Sequence, residues 1–135
     1  MAIEALQWND DRHLLGVAEM DATHRSFVSL AARLATAGDA EFPALFSELL
    51  DHSRAHFTAE DAAMRASRFP AIGEHIGEHQ RVLAELRAFS RGVQRGRLLL
   101  VRAYVRESLP EWFELHLATM DAALAAHLRK AGAVA

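Results

Sequence analysis

The sequence predicts an all-α protein, an up-down-up-down antiparallel four-helix bundle with an irregular N-terminal arm. Apolar residues recur at three- and four-residue spacing in four long segments, which is the pattern of helices with one buried face. Short breaks separate these segments, and short connections favour antiparallel neighbours. No alternating strand pattern is present in the sequence. We expect a single domain over residues 1–135, with the arm in 1–20 and the bundle in 21–130.

The arm and the first helix are expected to meet near Asp21. Gly16 interrupts the arm, and aspartate is a residue type that commonly caps helix N-termini. We therefore expect the first helix to run from Asp21 to about Ala37, with His24 in its first turn. Gly38 ends this helix.

The second and third helices are expected over about 40–67 and about 71–91. Phe69 and Pro70 separate them, because the residue before a proline disfavours the helical conformation. Gly92 and Gly96 then bracket a turn that leads into the fourth segment.

The fourth segment, about 98–129, is the longest and contains Pro110. A proline inside a helix removes a backbone donor, and its ring clashes with the carbonyl four residues earlier, here that of Arg106. We therefore expect a kink or a break at this point. Residues 131–135 are expected to fray.

The composition is that of an ordinary folded protein, and it excludes several kinds of site. Of 135 residues, 51% are hydrophobic and 24% are charged, and the formal net charge of -3 is a poor match for nucleic acid. The absence of cysteine excludes disulfides, thiolate catalysis, zinc fingers and iron–sulfur clusters. With no apolar run long enough for a membrane span and no secretory signal pattern, we expect a cytoplasmic protein.

Seven imidazole and carboxylate side chains lie on the inward faces of the predicted helices, where they are costly unless something satisfies them. They are His24, His56, Glu60, His75, His79, His116 and Asp121. Seven nitrogen and oxygen donors are too many for one zinc ion, and they suit two first-row metal ions bridged by the carboxylates. Imidazole combined with carboxylate favours iron over manganese or zinc.

The spacing of these residues differs between helices. The His-x3-Glu pair of the second helix and the His-x3-His pair of the third have partners four residues apart, which lie on one helix face. His116 and Asp121 are five residues apart, about 140° around an α-helix. Either they straddle the site from the two edges of the inner face, or a π-bulge brings them together.

These positions and their neighbours match a known family. The matching pieces are MDATH at 20–24, HFTAE at 56–60, HIGEH at 75–79 and WFELHLATMD at 112–121, together with Trp8, Gly16 and Met64. Through them the chain resembles hemerythrin in its single-domain bacterial form, from Trp8 to Asp121, with all seven ligand positions filled at the family spacing.

The resemblance implies a non-haem di-iron centre that binds dioxygen reversibly, for oxygen storage, delivery or buffering. His75, His79 and His116 would hold one iron, and His24 and His56 would hold the other. The two carboxylates and an oxo or hydroxo bridge would join the irons. The resemblance also implies a carrier rather than an enzyme, and we expect a monomer that binds neither nucleic acid nor membranes.

By the same resemblance, the oxygen pocket is apolar and dry. Its expected lining is Phe27, Phe57, Trp112, Phe113 and Leu117. The family often has leucine where Phe113 stands, so the larger ring is expected to narrow the pocket or to slow ligand exchange.

Three other functions stay open on the same scaffold: a di-iron enzyme that consumes peroxide or nitric oxide, an oxygen or redox sensor that signals to a partner protein, and, as the weakest option, a protein that handles iron. Three histidines lie outside the ligand set. His13 is interpreted as a surface residue of the arm, and His127 as a cation favoured near a helix C-terminus. His52, one turn before His56, is expected to have a packing role, with a role at the edge of the metal site as the alternative.

Overall fold

A computed structural model describes residues 6–134, and it confirms the all-α bundle. A short helix α1 precedes three long ones, and the last long helix is built from α-helical and π-helical pieces in unbroken succession. The elements are α1 (Asp10–His13), α2 (Ala18–Thr36), α3 (Phe42–Ser67), α4 (Ile72–Gln94), α5 (Leu98–Ala103), the first π turn (Tyr104–Ser108), α6 (Leu109–His116), the second π turn (Leu117–Asp121) and α7 (Ala122–Val134). Helices adjacent in the chain pack together, and the last helix also contacts α2 and α3, which closes the bundle.

The start of the first long helix was predicted wrongly. Helix α2 begins at Ala18, and Val17 takes the N-cap position without a side-chain hydrogen bond. The carboxylate of Asp21 instead accepts hydrogen bonds from the backbone N–H groups of Leu15 (2.7 Å) and Gly16 (3.2 Å). Asp21 therefore fastens the incoming arm to the first turn of α2, at a point where Gly16 adopts a positive φ of 81° that favours glycine.

The arm contains one helical turn that the sequence analysis did not predict. The side chain of Asn9 caps α1 by accepting a hydrogen bond from the backbone N–H of Asp11 (2.9 Å). Among the described residues of the arm, 6–9 and 14–17 are irregular and flank α1, whereas 1–5 lie outside the described residues.

Pro110 does not break the last helix. It lies in the first turn of α6, where the missing N–H of proline is tolerated. The first π turn precedes it, and there the N–H of Leu109 bonds to the carbonyl of Tyr104, five residues earlier. This wider turn makes room for the proline ring, so the expected irregularity takes the form of a π turn in a continuous helix. The helix continues to Val134, and residue 135 lies outside the described residues.

The buried apolar side chains form two clusters, and buried histidines contact both: His24 lies beside Phe113 of the larger cluster and His75 beside Phe69 of the smaller one. The larger cluster includes Phe27, Phe42, Leu86 and Phe113, and the smaller one centres on Met64. Within the described residues, no helix is both long and apolar enough to cross a membrane.

Truncation of a core leucine is expected to destabilise the bundle strongly. Leu86 is 0% exposed in the larger cluster, so Leu86→Ala should lower the free energy of unfolding by about 2–5 kcal/mol. The matched control is Leu99→Ala, at a leucine that is 85% exposed, where a change within about 0.5 kcal/mol is expected. Urea unfolding curves of the two variants measure both values, and equal losses would contradict this account of the core.

Candidate metal centre

Each long helix of the bundle contributes to one buried cluster of imidazoles and carboxylates. The structure brings together all seven side chains singled out in the sequence, each at most 9% exposed. Helix α2 supplies His24, α3 supplies His56 and Glu60, α4 supplies His75 and His79, and the last helix supplies His116 and Asp121. The seven fall into two groups whose ligand atoms lie close enough to hold a metal ion: Glu60, His75, His79, His116 and Asp121 in one group, and His24, His56 and Glu60 in the other.

Glu60 belongs to both groups and turns one oxygen toward each. Its Oε1 lies 3.2 Å from Nε2 of His75 and 3.2 Å from Nε2 of His79. Its Oε2 lies 2.5 Å from Nε2 of His56 and 3.6 Å from Nε2 of His24. A carboxylate with its two oxygens divided in this way is placed to bridge two cations.

Asp121 divides its oxygens between the same two groups. Its Oδ1 lies 3.2 Å from Nε2 of both His75 and His116, and its Oδ2 lies 3.1 Å from Nε2 of His24. Three imidazoles therefore surround one side of the carboxylate pair, and two surround the other side.

The second π turn determines the arrangement of His116 and Asp121, for which their five-residue spacing allowed two geometries. Residues Leu117–Asp121 form a π turn, so His116 and Asp121 lie on the same side of the helix instead of straddling the site. The hydroxyl of Thr119 donates to the carbonyl of Leu115 (2.7 Å) alongside this turn. The π-bulge interpretation is therefore the right one.

The donor atoms are arranged for a cation rather than for one another. Six inward atoms are buried without a hydrogen-bond partner among the described residues: Nε2 of His24, His75, His79 and His116, Oε1 of Glu60 and Oδ1 of Asp121. The four nitrogens lie 3.1–3.6 Å from carboxylate oxygens of Glu60 and Asp121, which is close enough for charge attraction, but the geometry does not make hydrogen bonds. Buried polar groups need a partner, and lone pairs converging on shared points suit metal ions. The residues therefore fit a pair of cations.

The imidazoles and carboxylates of the cluster also shift one another's pKa values. Burial by itself raises the pKa of both carboxyl groups, but contacts with the surrounding imidazoles outweigh it and hold the pKa of Glu60 and of Asp121 well below its usual range. Burial lowers the pKa of His24 and His75, yet contacts with Asp121 and Glu60 outweigh it and raise both values to about 9. Protons thus compete with metal for these imidazoles.

Protein stripped of metal with a chelator is expected to lose stability as the pH rises. The folded pKa values of His24 and His75, about 9, exceed the ordinary value of 6.5. Their ion pairs therefore stabilise the fold fully below pH 6.5, and this contribution disappears as the pH rises through 9. Urea unfolding between pH 6 and pH 9.5 measures the effect, and the double variant His24→Gln/His75→Gln should show a flatter profile. A profile equally steep in the double variant would contradict the assignment.

Several contacts outside the cluster hold its rings in place. Nδ1 of His79 lies 2.9 Å from Oδ1 of Asp61, and the ring of Phe57 stacks on the His79 ring at 4.0 Å. Trp112 stacks on His116 at 4.7 Å and donates its indole N–H to Glu78 (2.9 Å). Phe57 and Trp112 were expected from the sequence as pocket lining, whereas the contact between Asp61 and His79 was not expected, because it depends on how α3 packs against α4.

The predicted pocket lining divides into two parts. Phe27 and Phe113 stack at 5.0 Å, and Phe113 meets the ring of His24 at 5.9 Å, so this pair lies beside the two-histidine group. Phe57 and Trp112 stack instead on rings of the three-histidine group. Leu117 is buried in the larger apolar cluster together with Phe27, Phe57 and Phe113. Trp112 is half-buried and packs against this cluster.

His13 is not a surface residue, contrary to the prediction. It is 0% exposed, and its Nδ1 accepts a hydrogen bond from the backbone N–H of Asn9 (2.9 Å). Its Nε2 lies 2.9 Å from Oε1 of Glu114, and its ring meets Phe113 edge-on at 5.8 Å. The histidine thus fixes the arm over the aromatic pair beside the two-histidine group.

His52 and His127 lie outside the seven-residue cluster. The half-buried ring of His52 lies 6.2 Å from that of His56 and 6.3 Å from that of Phe27, so it stands at the edge of the site. Burial, followed by the neighbouring His56 and His24, lowers the pKa of His52. His127 lies 2.8 Å from the carbonyl of Ser67, at the C-terminal end of α3.

The fold and the buried histidine–carboxylate cluster define a metal-binding four-helix bundle protein. Comparisons with known proteins agree with this class of protein. Residues 15–129 match the family model of the hemerythrin HHE cation binding domain. The chain is 37% identical to a bacteriohemerythrin of Ralstonia nicotianae over 127 residues, which covers 94% of this chain and 91% of that protein. The chain therefore belongs to the hemerythrin family.

Solved structures show the same fold. Crystal structures of wild-type hemerythrin and of a leucine-to-tyrosine variant of hemerythrin each superpose with a TM-score of 0.84. Their sequences are 18% and 19% identical to this one, and each match covers 93% of this chain and 98% of the other.

Proposed function

We propose that this protein binds dioxygen reversibly at a non-haem di-iron centre and acts as a carrier, store or buffer of oxygen rather than as an enzyme. The observation that carries the proposal is the unequal division of five imidazoles around two carboxylates, each of which turns one oxygen to either side. Two unequal groups give one cation a fuller set of protein donors than the other. The cation with fewer donors has room for an exogenous ligand.

The seven residues of the cluster would bind the two irons as follows. His75, His79 and His116 would hold one iron, and His24 and His56 would hold the other. Glu60 and Asp121 would bridge them. When bound, the iron pair supplies electrons that a side chain cannot supply, and the protein contributes position, charge balance and exclusion of water.

The environment of the two-histidine group supports binding without turnover. The stacked rings of Phe27 and Phe113 are each 3% exposed and form an apolar wall beside His24. His52 is half-buried at the edge of this region, and its lowered pKa keeps it neutral near pH 7. An apolar wall of this kind excludes water and thereby disfavours side reactions that consume the ligand.

The names of the relatives agree with the proposal. The matching family model describes a cation-binding domain, and the similar protein of Ralstonia nicotianae is named a bacteriohemerythrin.

The test is an anaerobic titration of metal-free protein with Fe(II), followed by optical spectra before oxygen, under oxygen and after oxygen removal. We expect two irons per chain and a visible absorption band that develops under oxygen and disappears on deoxygenation, over repeated cycles. The matched control is the same protein loaded with redox-inert zinc, which should show no band.

Two outcomes would contradict the proposal. Two irons with rapid, irreversible oxidation and turnover of peroxide or nitric oxide would favour the enzymatic alternative. Uptake of fewer than two irons by correctly folded protein would contradict the di-iron centre itself.

A further inference from the structure

Each histidine of the cluster has one ring nitrogen, Nδ1, that faces away from the centre. Among the described residues, Asp61 is the one carboxylate that contacts such an Nδ1 atom. Its Oδ1 lies 2.9 Å from Nδ1 of His79. A carboxylate can only accept a hydrogen bond, so the Nδ1 of His79 donates it. The lone pair of Nε2, on the other side of the ring, is then free to face Glu60, whose Oε1 lies 3.2 Å away.

The other imidazoles lack such a partner. The Nδ1 atoms of His24, His75 and His116 are buried without a hydrogen-bond partner within residues 6–134. Asp61 thus singles out one histidine of the three-histidine group. Its side chain is only 22% exposed, so water screens its charge less than it would at the open surface.

The ring of His79 is also fixed in its plane. Phe57 stacks on it at 4.0 Å with an angle of 8° between the rings. The hydrogen bond to Asp61 sets the rotation of the ring within that plane. Together these contacts hold Nε2 of His79 toward the centre.

We propose that Asp61 is a positioning residue that orients His79 and strengthens its electron donation to the metal, which tightens metal binding and favours the oxidised iron pair. A carboxylate partner makes an imidazole more basic, and such partners commonly change metal affinity 10–100-fold. The part that concerns oxidised iron rests on the proposed function, whereas the part that concerns metal affinity needs only the seven-residue cluster.

The test compares Asp61→Asn, which keeps an acceptor but removes the charge, with Asp61→Ala, which removes both. The control is Asp51→Asn on the same helix, whose carboxylate is 71% exposed and lies 3.8 Å from Arg54. Co(II) alone is the first probe, and its affinity is measured by competition with a chelator. We expect Asp61→Asn to bind Co(II) about tenfold more weakly, Asp61→Ala to bind it more weakly still, and the control to match the unaltered protein.

Two further readouts separate electron donation from simple packing. The reduction potential of the iron-loaded protein should rise in Asp61→Asn, because the reduced pair loses less from a weaker donor than the oxidised pair does. In zinc-loaded protein, the ¹⁵N spectrum of His79 should show Nδ1–H in both the unaltered protein and Asp61→Asn, with a weaker hydrogen bond in the variant.

An Asp61→Asn variant with unchanged Co(II) affinity and unchanged potential would overturn the proposal. If Asp61→Ala fails to fold, the isosteric Asp61→Asn still decides the question. Cobalt affinity and the zinc-loaded spectrum involve no dioxygen, so a failure of reversible oxygen binding would leave this test intact.

Discussion

Glu60→Gln is expected to reduce the iron content from two ions per chain to at most one and to abolish the oxygen-dependent absorption band. Glu60 belongs to both groups of donors, with Oε1 toward His75 and His79 and Oε2 toward His56. Glutamine fills nearly the same volume but carries no charge, and one of its ends is an NH₂ group that cannot bind a cation. Removal of one partner from a buried charged network is among the most damaging single changes.

The matched control is Glu48→Gln, at an exposed position of the same helix. Iron content by elemental analysis and the optical spectrum give the result for both variants. Two tightly held irons in folded Glu60→Gln would show that this carboxylate does not bridge the centre.

Two single-residue deletions in the last helix are expected to have opposite effects. Removal of Ala118, an exposed residue of the second π turn, should let the turn close into an α-helix. Asp121 would then stand four residues after His116, a spacing that also shares one helix face, so two metals should still bind. Removal of Leu115, which is 65% exposed in α6, rotates His116 by about 100° relative to the preceding residues and should abolish two-metal binding.

Cobalt stoichiometry and thermal unfolding of the two deletion variants test this pair. Both deletions remove one surface residue from one helix, so each serves as the control of the other. Equal loss of metal in both variants would contradict the account of the π turn as one extra residue accommodated between two ligands.

Periodicity was sufficient to predict the bundle and the inward position of the cluster. Leu49, His56 and Glu60 recur on one face of α3, and their burial in the structure follows from that spacing alone. A spacing of four residues also determines direction, because side chains one turn apart point the same way. The His-x3-Glu and His-x3-His pairs therefore carried real geometric information.

The remaining features depend on contacts between elements, which spacing within one helix does not encode. His13 is buried because Glu114, 101 residues away, and the backbone of Asn9 satisfy both of its nitrogens. Asp21 binds the arm rather than capping the helix, because the chain turns back at Gly16. The second π turn was partly predictable from the sequence. The five-residue spacing of His116 and Asp121 indicated two geometries, and the packing of the helices determines which of them forms.

The most direct test of the central claim is a crystal structure of the iron-loaded protein with anomalous scattering data collected at the iron absorption edge. We expect two iron peaks between the carboxylates of Glu60 and Asp121, one beside His75, His79 and His116 and the other beside His24 and His56. A single peak, or iron bound away from these side chains, would contradict it.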